Sequence, residues 1–119
     1  MTPFGRKIRA LRDLRGISLK QMAQDLNLSS AYLSALEHGR RGRPSPGLVM
    51  QILGYFNVIW DEAEDLKRLA DLSHPKVTLD TSGLSPEAVE LANRLHQQIR
   101  TLPPERIARL LALLREPLP

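Results

Sequence analysis

The stretch Ile17–Glu37, ISLKQMAQDLNLSSAYLSALE, limits what this chain can fold into more than any other. Leu19, Met22, Ala23 and Leu26 recur at i, i+3, i+4 and i+7, which is one apolar face of a short helix. Ser18 stands at the N-cap position, and Gln21 three residues on completes the pattern of a capping box. Asn27 follows, a residue that tolerates the left-handed conformation of a tight helix–helix turn. Ser29 then caps a second helix to about His38, with Leu33 and Leu36 facing inward, and Gly39 stops it. Directly beyond lies the basic loop Arg40-Arg41-Gly42-Arg43. The segment therefore predicts two short helices, a tight turn, and positive charge at the far end. That arrangement can lay one helix in the major groove of DNA while arginines hold phosphates.

The flanking sequence is patterned in the same way. Phe4, Ile8, Leu11 and the pair Leu14/Arg15 mark one face of a first helix ended by Gly16. After the Gly/Pro-rich loop, Ser45-Pro46 reads as N-cap and first helical residue, and Val49, Ile52, Leu53 and Phe56 repeat the helical spacing. Asn57-Val58-Ile59 forms a short turn. A fifth helix runs from Trp60 or Asp61 to about Asp71, with Ala63, Leu66 and Ala70 on one side and its acids placed first. In the linker at 73–84, Val77 and Leu79 alternate with Thr78 and Asp80, a pattern compatible with a short strand. Ser85-Pro86-Glu87 restarts a helix carrying Ala88, Leu91, Ala92, Leu95 and Ile99, which Leu102-Pro103-Pro104 breaks. The last helix carries Ile107, Leu110, Leu111 and Leu114. The expected fold class is all-α: a five-helix front unit at 1–72, the linker, and a two-helix tail at 85–119.

That tail is more apolar than a two-helix hairpin can bury, so it is expected to form an interface. The expected dimer contacts are Leu95, Ile99, Ile107, Leu110, Leu111 and Leu114, joined by Phe56, Ile59 and Trp60. Folding back onto the fifth helix is the alternative for the tail, and a core position is the alternative for Trp60.

Composition narrows the function. The first 45 residues carry nine Lys/Arg against Asp13, Asp25 and Glu37, while the remainder is slightly acidic. A basic front half suits a polyanionic partner, though a solvated basic face would look the same. The absence of cysteine excludes disulfides, Cys-ligated zinc and Cys nucleophiles, and it fits a reducing cytoplasm. No run approaches the ~20 apolar residues of a membrane span, and the N-terminus lacks a signal-peptide h-region. His38, His74 and His96 lie far apart without metal-spaced carboxylates, so they read as surface residues and no metal or cofactor is expected. Asp61, Glu62, Glu64 and Asp65 open a helix, where acids are ordinary dipole partners. No catalytic residue stands out.

Residues 4–72 resemble the Cro/repressor-type (XRE) helix-turn-helix family. The resemblance rests on the Arg6…Arg12 first helix ending at Gly16, SLKQMA, LNLS, YLSALEHG, Pro44-Ser45 and FNV, in that order. It implies that the third helix reads bases, through Ser30, Ala31, Ser34 and Ala35 with Tyr32 nearby. All but Tyr32 are small: there is no Arg for guanine and no Asn or Gln for adenine. Ala31 and Ala35 suit thymine methyls, and close approach shifts selectivity toward DNA shape and bridging water. These are otherwise ordinary helix-surface residues. The resemblance also lays the Arg40, Arg41 and Arg43 loop along the DNA backbone, one residue longer here than usual before Pro44. Leu19 departs from the Gln common at its position, so either Lys20, Ser18 or the N-terminus of the second helix takes over the phosphate or that contact is absent, with Ser29, Arg6, Lys7 and Arg9 as further backbone candidates. Arg12 and Glu37 match the family's structural ion pair. The implied protein is a cytoplasmic, dimeric, sequence-specific transcriptional regulator, a repressor in type, on an inverted-repeat operator. The alternative is an antitoxin-like or adaptor module whose Leu-rich tail binds another protein.

Overall fold

A computed structural model describes residues 1–119. It consists of seven helices: α1 (Pro3–Arg15), α2 (Leu19–Asp25), α3 (Ser30–Glu37), α4 (Pro46–Tyr55), α5 (Trp60–Asp71), α6 (Pro86–Gln98) and α7 (Pro104–Arg115). The chain divides into two compact units, Met1–Val77 and Thr78–Pro119.

Short side chains start and stop the helices of the first unit. The hydroxyls of Thr2, Ser18, Ser29 and Ser45 accept from the backbone N–H three residues on, satisfying a donor that has no partner within the helix. The capping box expected at Ser18 is only half made. Gln21 N donates to Ser18 Oγ, but the Gln21 amide turns away and donates to Asp25 Oδ1 at 2.8 Å. Four helices end in one device. Gly16, Asn27, Gly39 and Asn57 take φ of 63°, 58°, 77° and 55°. The next residue's N–H then reaches back to a carbonyl five positions earlier: Ile17 to Arg12, Leu28 to Ala23, Arg40 to Ala35 and Val58 to Leu53. Helix α5 lacks a side-chain cap, and Trp60 opens it at φ 58°, a costly conformation for a bulky residue.

These closures fold α1 to α5 around one core of Phe4, Ile8, Leu11, Met22, Leu33, Leu36, Ile52, Phe56 and Leu66 with their neighbours. The tightest crossing is between α1 and α3. A Cβ on Gly5 would lie 2.1 Å from the Glu37 carbonyl oxygen, so only glycine lets the helices approach this closely. The same carbonyl accepts from Thr2 N at 3.1 Å. Ser73, at the head of the expected linker, is buried: it accepts from Phe4 N at 3.0 Å and donates to the Leu69 carbonyl at 2.5 Å. It pins the end of α5 to the start of α1.

Several expectations change on this frame. Phe56 is wholly buried in the core, with Arg15 across its ring at 5.8 Å, so it cannot serve as a dimer contact. Leu14, expected inward, is 83% exposed, and Arg15 donates to the Phe56 carbonyl. Trp60 is also 83% exposed, which removes its core alternative. No strand forms across Val77–Leu79.

The second unit contains α6 and α7, joined through Leu102-Pro103. Ser85 caps α6 as expected, accepting from Ala88 N at 3.1 Å. Neither helix has a buried residue. Leu91, Ile99, Leu111, Leu113 and Leu114 are all exposed. No helix of the chain is long and apolar enough to cross a membrane.

The crossing makes opposite predictions for two glycines. Gly5→Ala should destabilise the fold by about 2–3 kcal/mol, because backbone must move to admit one methyl. Gly54→Ala, exposed inside α4 with nothing within 4 Å of the new Cβ, should stabilise it by about 0.5–1 kcal/mol. Urea unfolding of the two variants checks both signs.

Candidate nucleic-acid interface

Helices α2 and α3 pack together, and α3 packs on α1. Beneath α3 lies the expected ion pair. Arg12 Nε donates to Glu37 Oε2 at 3.3 Å, and its terminal nitrogen reaches both carboxylate oxygens at 3.1 Å. Both side chains are buried, 8% and 3% exposed. No buried side-chain polar atom of the chain lacks a partner. A two-point contact between a planar guanidinium and a carboxylate fixes orientation as well as distance. It sets the roll of α3 relative to α1.

With that roll set, α3 turns Leu33, Leu36 and Glu37 inward. Ser30 and Ala31 are exposed, Ser34 and Ala35 half-buried. Tyr32 is half-buried as well and leans on the core, so it is held more firmly than the other candidate readers. The outer face of α3 is therefore small-sided and can approach another surface closely. Its one carboxylate, Glu37, points away from that face.

The expected phosphate contacts fall into two groups. Lys20, Arg40, Arg41, Arg6 and Arg9 are exposed and have no ion-pair partner, so they are free for an anion. Two others are engaged elsewhere. Arg43 donates to Asp71 Oδ1 of α5 at 3.1 Å, and Lys7 lies 3.6 Å from Glu62. Both pairs are exposed and weak, so a phosphate can compete for the cation. Ser18 and Ser29 use their oxygens as acceptors for the caps at α2 and α3. Each hydroxyl proton is left to donate outward, so capping and anion contact do not exclude each other. Leu19 packs against the core at its half-buried position.

Two features escaped the sequence reading. Tyr55 Oη donates to Asp25 Oδ2 at 2.6 Å, tying α4 to α2. Burial, then the hydrogen bond and charge of Asp25, push the Tyr55 phenol up to about 12. The second is His38, whose Nδ1 lies 2.9 Å from the Ser34 carbonyl, on the same side of α3 as the candidate readers. A Tyr thirty positions from an Asp gives no local signal, but a His four positions after an outward Ser does.

Glu37→Ala should cost about 3–5 kcal/mol of stability, because it leaves Arg12 buried and unpaired. Replacing both members by apolar residues of similar volume should recover much of that loss. Thermal melts of the single and double variants measure the difference. A Glu37→Ala protein that melts with wild type would contradict this account of the α1–α3 crossing.

Comparison with known proteins agrees with this geometry. Residues 3–66 match the model of the helix-turn-helix domain. Among curated proteins, the chain is 34% identical over 61 residues to an uncharacterized HTH-type transcriptional regulator, RghRB, of Bacillus subtilis strain 168. That stretch covers 51% of this chain and 44% of the relative. It is 36% identical over 52 residues to the HTH-type transcriptional repressor RghR of the same organism, covering 44% of this chain and 38% of the relative. The chain thus spans less than half the length of these relatives. No solved structure matches it. A buried Arg12–Glu37 pair beneath an outward α3, and a family match across more than half of the chain, place this protein in the XRE-like helix-turn-helix family.

Proposed function

We propose that this protein is a transcriptional regulator, a repressor in type, that binds double-stranded DNA by inserting α3 into the major groove. One observation carries the reading: a face of small side chains, locked outward by a buried ion pair and flanked by unpaired Lys20, Arg40 and Arg41. The names of the two relatives, regulator and repressor, support it. Ser30, Ala31, Ser34 and Ala35 contact base edges and methyls, with Tyr32 as a fixed support. Ser18, Lys20, Ser29, Arg40 and Arg41 hold phosphate, joined by Arg43 once it leaves Asp71, and Arg6, Lys7 and Arg9 add positive field. The protein acts by binding rather than catalysis, in the cytoplasm. No cofactor is needed for this contact.

The same reading makes the protein a homodimer on an inverted repeat with half-sites about one helical turn apart. Leu95, Ile99, Ile107, Leu110, Leu111 and Leu114 supply the contact, with exposed Ile59 and Trp60 as a second patch. The support is physical: the second unit buries no residue of its own. Capture of a different protein by these helices, in the manner of an antitoxin or adaptor, is the second reading favoured by the same observation.

Fluorescence anisotropy with duplexes from the protein's own upstream region tests the first claim. Native duplex should bind at least ~1000-fold more tightly than scrambled duplex at moderate salt. Arg40→Gln and Arg41→Gln should weaken both duplexes alike, each lowering the salt slope by about 1. Equal binding to native and scrambled DNA would reject sequence-specific regulation.

Light scattering tests the dimer. Wild type should run as two chains and Leu110→Glu/Leu114→Glu as one, with the front unit's melting unchanged. A monomeric wild type would move the assignment to a partner protein.

A further inference from the structure

We propose that His38 is a phosphate-contacting residue of the DNA interface and that it takes up a proton when the protein binds. The inference rests on the DNA-binding reading above and assigns one more residue, with a defined protonation state, to that interface.

His38 Nδ1 lies 2.9 Å from the Ser34 carbonyl oxygen. A carbonyl only accepts, so Nδ1 carries the hydrogen. The contact holds the ring against the last turn of α3 and leaves Nε2 as its free nitrogen. His38 is exposed and follows Ser30 and Ser34 at four-residue intervals, so it continues their side of the helix. It is the one long polar side chain on that side.

What Nε2 meets depends on its own proton. Without a proton it accepts, and its partner is a base amino group. With one it donates, the ring is an imidazolium, and its partner is an anion. The surroundings favour the second case. His38 is followed by Gly39 at φ 77° and then by Arg40 and Arg41, both unpaired. Thr2 bonds the Glu37 carbonyl, and Pro75 approaches Gly39. Of the acids on these segments, Glu37 is buried on Arg12, and Asp71 meets Arg43 in an exposed pair. A DNA phosphate beside Nε2 can only accept, so it pairs with the doubly protonated ring, and its arrival draws a proton from solvent onto Nε2. The balance is one proton taken up per protomer, with no bond broken in protein or DNA.

The test is the pH dependence of DNA affinity, on duplexes that wild type selects from a random pool. Histidine side chains change charge between about pH 8 and about pH 6. Across that interval wild-type affinity should rise at least about threefold, and by no more than about tenfold per pH unit per protomer. His38→Arg should bind tightly at both ends and show little pH dependence. His38→Gln and His38→Ala should bind weakly at low pH, with a flat profile and a salt slope reduced by about 1 per protomer. His74→Gln should keep the wild-type profile. A flat wild-type profile, or an unchanged slope in His38→Ala, would overturn the assignment. Affinity that falls on acidification would assign Nε2 to a base amino group instead. If wild type selects no duplex at any pH, the DNA-binding reading fails and this inference fails with it; a selected duplex with a flat profile sinks the inference alone.

Discussion

The close crossing of α1 and α3 is the contact on which the first unit depends. Gly5 lets the helices meet backbone to backbone, Thr2 ties its N–H to the Glu37 carbonyl, and Arg12 grips the Glu37 side chain from the other direction. One residue, Glu37, is thus held through both its main chain and its carboxylate. A buried pair of this kind is a poor source of net stability, because desolvation offsets most of its attraction. Its value is geometric. A hydrophobic contact between α1 and α3 would tolerate a range of rolls, whereas a two-point ion pair accepts one. The exposure of Ser30 and Ala31 is the consequence at the surface.

The turns extend that order along the chain. A left-handed residue closes each of α1, α2, α3 and α4, and a short hydroxyl opens each of them. Both devices act within about five residues, which is why they were legible in the sequence. Ser18, Ser29, Ser45 and Ser85 stand where the pattern of apolar residues begins, and Gly16, Asn27 and Gly39 where it stops. The Arg12–Glu37 pair was legible only through family resemblance, since nothing local in either residue points to the other.

What the sequence hid is set by contacts between distant segments. Nothing in PFGRK marks Gly5 as the position where a Cβ would strike another helix. Phe56 carries the same helical spacing whether its ring enters the core or leaves it, and the choice is made by the core that closes around it, with Arg15 of α1 across the ring. Arg43 reads as one more loop cation until α5 brings Asp71 beside it. Leu14 shows the opposite error. It fits the apolar period of α1, yet the period drifts, and by the last turn Arg15 has taken the inward contact through the Phe56 carbonyl. Charge counts also overstate the positive face, since Lys7 and Arg43 have acidic neighbours from α5.

The two units solve the problem of a small chain differently. The first has a buried core, satisfied polar groups and a capped start to four of its five helices. The second has two helices of 13 and 12 residues and not one buried side chain. Helices of that length are marginal alone in water, and most of the stability of such segments comes from packing an apolar face. A pair of helices with exposed Leu91, Ile99, Leu111 and Leu114 therefore gains most of its order when another surface covers it. On the proposed reading, that surface is a second copy, and order in the tail depends on protein concentration while order in the first unit does not. On the same reading DNA enters this equilibrium: an inverted repeat would hold two front units side by side and raise the local concentration of their tails, so that operator and tail would reinforce each other without direct contact. Half-site spacing and the two tail helices are then two parts of one coupling, and a change in either alters how strongly the second protomer binds.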